Sequence, residues 1–145
     1  VREALEINLA ALAAERAEAV QIEAMERTIA ALQKKSLTAT EFAEADLAFH
    51  NALAEAAHNP IFTLLVGMLN NLMLQVREQV FQADGQASAS RALRYHQKIL
   101  DQIKAHDVNG ARQAMMEHLA EVRETWQRVA RKRRSQPARK PQNPQ

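Results

Sequence analysis

The 145-residue chain has no cysteine, which excludes disulfide frameworks, thiolate zinc sites and cysteine nucleophiles together. It has only 3 glycines and 4 prolines, and three of the prolines fall in the last nine residues. Aromatic residues make up 4%. Sandwiches, barrels and glycine-rich phosphate loops need more of these residues, so none of those folds fits. No apolar run approaches the ~18 residues that span a membrane, and the first residues lack the charged-then-apolar layout of a signal peptide. What is abundant is alanine, within a hydrophobic content of 47%. Alanine is the strongest helix former, and a chain of this length hides enough surface for a core without staples. The composition therefore predicts one cytoplasmic, all-α domain.

The net charge of +2 conceals a division. All seventeen acidic residues precede Gln127, and twelve basic residues leave that body at −5. Seven basic residues, from Arg128 to Lys140, follow. The tail from residue 131 to 145, rich in Arg, Lys, Pro, Gln and Asn, reads as disordered and solvated. It lacks interleaved aromatics, so nucleic-acid binding by this segment is not expected, and the foldable domain is residues 1–130.

Apolar periodicity predicts about six helices in an all-α chain. The first two span roughly residues 2–18 and 20–35. Thr38 with Glu41 three residues later forms a capping box for a third, about 40–57. Asn59 followed by Pro60 starts a fourth, expected to run unbroken to about Phe81. This helix is apolar around most of its circumference, which fits either central burial or the surface of a homodimer. Residues 83–90, with Asp84-Gly85 and two serines, read as a long loop. A fifth helix, about 91–106, and a sixth, capped by Asp107 and ending near Ala130, complete the set.

Four polar residues interrupt the apolar stripes. On helix three, Asp46 and His50 lie four apart among Phe42, Ala45, Phe49 and Leu53, so they project together from the buried face. His96 sits among Ala92, Ile99, Leu100 and Ile103, and His118 among Ala111, Met115 and Val122. Each would need its own partner in a dry interior, whereas one divalent cation satisfies all four. One carboxylate and three neutral imidazoles suit a transition metal, Zn²⁺ first, with Ni²⁺, Mn²⁺ or Fe²⁺ as alternatives, and do not suit Ca²⁺. His58 and His106 close helices and are expected at the surface. A di-iron reading of Glu55 and His58 fails, because Leu47, Leu93, Met115 and Ile103 stand three residues before the other histidines.

These segments resemble a known family. Asp46-Leu-Ala-Phe-His50 with Asn59-Pro60 is similar to the D-x-x-F-H…N-P core of the FCD domain. That is the effector-binding domain of the FadR subfamily of GntR-type bacterial transcription regulators. His96-Gln-Lys-Ile-Leu100 with Ile103 and Asp107, Ala111 through His118-Leu119, and the opening Arg2-Glu-Ala-Leu-Glu6 resemble its other motifs, over about residues 1–126. The resemblance implies an antiparallel bundle of about six helices around an internal metal and ligand cavity, with the metal held by Asp46, His50, His96 and His118. It implies a small carboxylate effector, a sugar acid or hydroxy acid, that completes the coordination, and it argues against an acyl-CoA ligand. It implies a homodimer that meets operator DNA through an N-terminal winged helix-turn-helix, which this sequence lacks, so the chain is expected to be part of a longer regulator. Arg2, Asn70 and Arg77 are candidates for the effector's carboxylate. No catalytic residue is expected. A metal-dependent hydrolase or lyase is the alternative, weakened because Glu55 and Glu117, the nearest carboxylates in sequence, share no face with a ligand.

Overall fold

The computed structural model describes residues 1–135. Among them are seven helices and no strand: α1 (Arg2–Arg16), α2 (Ala19–Leu32), α3 (Ala39–Glu55), α4 (Pro60–Leu72), α5 (Leu74–Asp84), α6 (Gln86–Lys104) and α7 (Val108–Ser135). The protein is an all-α bundle. No helix among the described residues is long and apolar enough to cross a membrane.

The caps form as the sequence predicts. Thr38 accepts from the Glu41 amide while the Glu41 carboxylate takes the Thr38 amide. Asn59 caps α4 through the Ile61 amide, with Pro60 in the first turn. Asp107 accepts from the Gly110 amide at the start of α7.

Helix α3 is the hub and packs on α2, α5, α4, α1 and α6, while α7 lies along α1 and α6. Alanines at nearly zero exposure (Ala10, Ala13 and Ala14 on α1, Ala43 and Ala54 on α3, Ala111 and Ala114 on α7) let backbones approach closely. Leu9, Met25, Phe49, Leu53, Ile99, Leu100, Ile103 and Met115 fill one contiguous core. A second cluster gathers Leu32, Leu37, Phe42 and Phe81, the two phenylalanine rings stacking with centroids 5.1 Å apart.

Three expectations are corrected. The fourth predicted helix is two, α4 and α5, broken at Met73, where the amide bonds both Leu69 and Asn70 carbonyls in a tightened turn. The predicted loop over residues 83–90 reduces to Gly85, whose φ of 58° and ψ of −139° suit glycine alone. Helix α6 starts at the next residue, and its small Ser88 and Ala89 are buried. Finally, α7 continues to Ser135, so the first residues of the basic tail are helical. The rest of that tail lies outside the described residues.

Helix α4 is not central. Only Val66 and Asn70 of it are buried, while Ile61, Leu64, Leu65, Met68 and Leu72 are exposed, Leu72 at 77%.

Candidate metal and effector site

The four polar interruptions of the apolar stripes meet. Asp46 and His50 on α3, His96 on α6 and His118 on α7 are all buried, and one ligand atom from each lies within 4.8 Å of all the others. Bonds of about 2.0–2.1 Å to one metal would put neighbouring donors roughly 3–3.4 Å apart. His50 Nε2 and His118 Nε2 are 3.4 Å apart, and His96 Nε2 is 3.3 Å from Asp46 Oδ1. The Phe49 ring stacks on His96 at 3.9 Å, nearly parallel, and fixes that imidazole from one side.

The cluster contains orphaned atoms. Both His96 nitrogens and His118 Nδ1 are fully buried without a hydrogen-bond partner. The 3.3 Å approach of His96 to Asp46 is not aligned as a hydrogen bond. Buried polar atoms are ordinarily paired, so unpaired imidazole nitrogens converging with a carboxylate fit a cation.

The protonation states fit as well. Burial acts to raise the Asp46 pKa, but the Arg77 guanidinium, and then His96, outweigh it and hold the carboxyl well below its usual range. Burial lowers the His96 pKa despite Asp46 beside it. Burial, with His96 and His50 nearby, pushes the His118 pKa well below that of an ordinary imidazole. An ionised carboxylate and neutral rings are the forms that coordinate metals.

Around the cluster stands a set of supporting groups. Arg77, on α5, donates from Nε to Asp46 Oδ2 at 2.5 Å. Its two other nitrogens reach the Asn70 carbonyl at 3.3 Å and Asn70 Oδ1 at 3.0 Å. Asn70 in turn donates to Asn51 Oδ1 at 2.9 Å. Arg2 bonds Glu6 Oε1 at 2.6 Å and places Nη2 3.3 Å from His50 Nε2.

Sequence reasoning missed Glu6. It is 1% exposed, and its Oε2 lies 2.7 Å from His50 Nδ1. Burial would raise its pKa, but His50 and Arg2 outweigh that and hold it ionised. With the Glu6 carboxylate against Nδ1, Nε2 is the ring atom that faces the cluster, 3.4 Å from His118 Nε2. The signal was present: Glu6 falls one turn before Leu9 and Ala10, a charge on the buried face of α1.

A cavity of about 240 Å³ adjoins the cluster and is lined in part by Asp46, His118, Arg2 and Arg77. Of the three effector candidates, Arg2 and Arg77 stand on its wall. Asn70 does not; it holds Arg77. Glu55 is exposed, and Glu117 pairs with Lys98 at the surface, so neither reaches the cluster. His58 and His106 are exposed and close their helices with left-handed backbone.

The FCD domain family model matches residues 1–121. The chain belongs to the FCD domain family. Its relatives are GntR-family regulators. The HTH-type transcriptional repressor NanR of Cronobacter sakazakii is 29% identical over 130 residues, which cover 90% of this chain and 50% of the relative. NanR of Edwardsiella tarda is 34% identical over 122 residues, 83% of this chain and 46% of the relative. The galactonate operon transcriptional repressor of Escherichia coli is 28% identical over 120 residues, 83% of this chain and 52% of the relative. This FCD domain thus spans about half the length of the curated relatives it matches.

Proposed function

We propose that this FCD domain is the sensor half of a cytoplasmic, FadR-type transcription regulator, binding a divalent transition metal, zinc first, and a small carboxylate effector. The observation that carries the reading is the convergence of Asp46, His50, His96 and His118 with unpaired imidazole nitrogens. A metal so held supplies Lewis-acid attraction for a carboxylate in a water-poor cavity. The chain's own groups do the rest. Glu6 orients His50, Arg77 neutralises Asp46, and Arg2 offers its guanidinium to the effector's second oxygen. The names of the relatives, repressors and an HTH-type regulator, support a sensor over an enzyme. Two copies pair through the exposed apolar face of α4, and effector binding shifts the helices that carry the ligands, altering how the dimer presents its DNA-binding domains.

The test is metal content of the purified protein, wild type beside His118→Ala, with thermal melts before and after chelation. One equivalent of metal in wild type alone is expected. Metal at a hundredfold excess over Kd adds about 2.7 kcal/mol, roughly 5–11 °C in Tm for a domain near this size. Equal melts and no metal in either protein would overturn the reading.

A further inference from the structure

The cavity beside the cluster has a sharp division of character. Away from Asp46, His118, Arg2 and Arg77, the apolar part of its wall is built by Phe42, Met73, Val76, Val80, Val122 and Trp126. The polar groups that also line it are already engaged with neighbours. Ser88 Oγ donates to the Val80 carbonyl, and Thr125 Oγ1 donates to Glu121 Oε1. Arg91 is paired with Asp84 at 2.6 Å and with Glu121, itself on the wall, at 2.8 Å, and the remaining charged lining residues, Glu3 and Arg123, are paired with each other.

A polyhydroxylated acid carries a donor and an acceptor on nearly every carbon. Placed here with its carboxylate at the cluster, most of its hydroxyls would lose water and meet aliphatic or aromatic carbon. An apolar body would instead replace water that the wall holds poorly. The volume, about 240 Å³, lies below the roughly 300–1,000 Å³ of drug-sized sites, so the body is small.

We propose that the effector of this domain is a compact monocarboxylate with an apolar body, and not a polyhydroxylated acid. The proposal rests on the reading of the cluster as a carboxylate-binding metal site and adds the specificity of the adjoining wall. Selection falls to Val76, Val80, Val122 and Trp126, while the cluster and arginines recognise only the shared head group.

Trp126 is the sole tryptophan and sits on that wall, so its fluorescence reports occupancy directly. The experiment titrates the zinc-supplemented protein with 3-phenylpropionate, 4-methylpentanoate, gluconate and acetate, by tryptophan fluorescence and by calorimetry. The two apolar acids are expected to bind at least ~100-fold tighter than gluconate and than acetate, since a wall of this kind discriminates by about that factor. Val122→Asn and, separately, Val80→Ser place a polar group on the wall without touching a metal ligand. Each should narrow the gap between 3-phenylpropionate and gluconate at least tenfold at unchanged metal content. Gluconate binding as tightly as the apolar acids, acetate matching them, an unchanged gap in both variants, or no acid binding at all would each overturn the proposal. Metal content is measured on the same samples and the ranking is read at whatever content is found, so failure of the metal reading registers separately.

Discussion

Removing Arg77 while keeping its aliphatic bulk, as Arg77→Met, isolates what the guanidinium does for Asp46. The pair is buried, with side chains 6% and 9% exposed, and the bond is 2.5 Å. Breaking one side of a buried ion pair typically costs about 3–5 kcal/mol, because a charge stays behind without a partner. A second route reaches the same figure. The stranded carboxyl escapes by taking up a proton, and holding a proton at pH 7 on a group of ordinary pKa near 3.9 costs roughly 4.2 kcal/mol at 1.36 kcal/mol per unit. The two routes give a loss of about 4 kcal/mol for the metal-free protein at pH 7. They also fix its pH dependence. In the variant Asp46 has a raised folded pKa, so its penalty shrinks as pH falls, to about 1.5 kcal/mol at pH 5. Urea denaturation of wild type and variant in chelator, at both pH values, measures this. The double variant Asp46→Asn/Arg77→Met should regain most of the loss, since no charge is then stranded. A loss below about 1 kcal/mol at pH 7, or one equal at the two pH values, would refute the argument that Arg77 is what keeps Asp46 ionised.

The metal-free wild type should lose stability on mild acidification. His96 and His118 have folded pKa values below the ordinary 6.5, so the unfolded chain takes up their protons first. Their contribution is complete above pH 6.5 and is lost progressively as pH falls below it, which chelated melts between pH 7.5 and 5.5 will read as a falling Tm. Glu6 and Asp46, held ionised, add a further loss only as pH falls through about 4. Leu64→Glu with Leu72→Glu puts two charges on the exposed α4 face. Sedimentation should show at least a tenfold weaker dimer with the melt of the monomer changed by less than about 1 kcal/mol, and an unchanged dimer would place the interface elsewhere.

The candidate site was far more legible than the chain path around it, for a physical reason. Asp46, His50, His96 and His118 are each a polar residue at an apolar position, a conflict that one-dimensional periodicity exposes directly. Glu6 makes the same conflict on α1, but between Leu5 and Leu9 it passes for a solvated charge at the edge of the stripe. The break at Met73 has no glycine, proline or cap to announce it; local preference runs helical through it, and packing decides. Gly85 was the reverse case. Asp84-Gly85 signals a turn correctly, yet the serines and alanines after it look like loop when they are the small residues that let α6 sit close to its neighbours. Whether α4 is central or peripheral was beyond the sequence altogether, since a buried helix and an interface helix have the same composition.

The geometry also bears on how a cavity event reaches the surface. The ligand cluster draws on α3, α6 and α7, with support from α1 and α5, which leaves α2 and α4 outside it. Only α4 of these carries the exposed apolar face, and it is tied to the site through Asn70: Asp46 bonds Arg77, Arg77 bonds both the side chain and the carbonyl of Asn70, and Asn70 donates to Asn51 beside His50 on α3. If an effector's carboxylate draws Arg77 toward the cavity, those bonds to Asn70 are what pull on α4. Position alone does not make a pathway; a shared equilibrium does. Linkage makes this testable, because an effector that changes the dimer affinity must itself bind monomer and dimer with the same ratio. Asn70→Ser removes the side-chain link, keeps the carbonyl bond to Arg77 and substitutes no metal ligand or cavity residue. Its expected result is near-normal acid binding with the effect of that acid on the dimer constant reduced by about 0.5–2 kcal/mol, measured by sedimentation with and without 3-phenylpropionate. An Asn70→Ser protein whose dimer still responds to the acid as wild type does would show that the signal leaves the site by another helix.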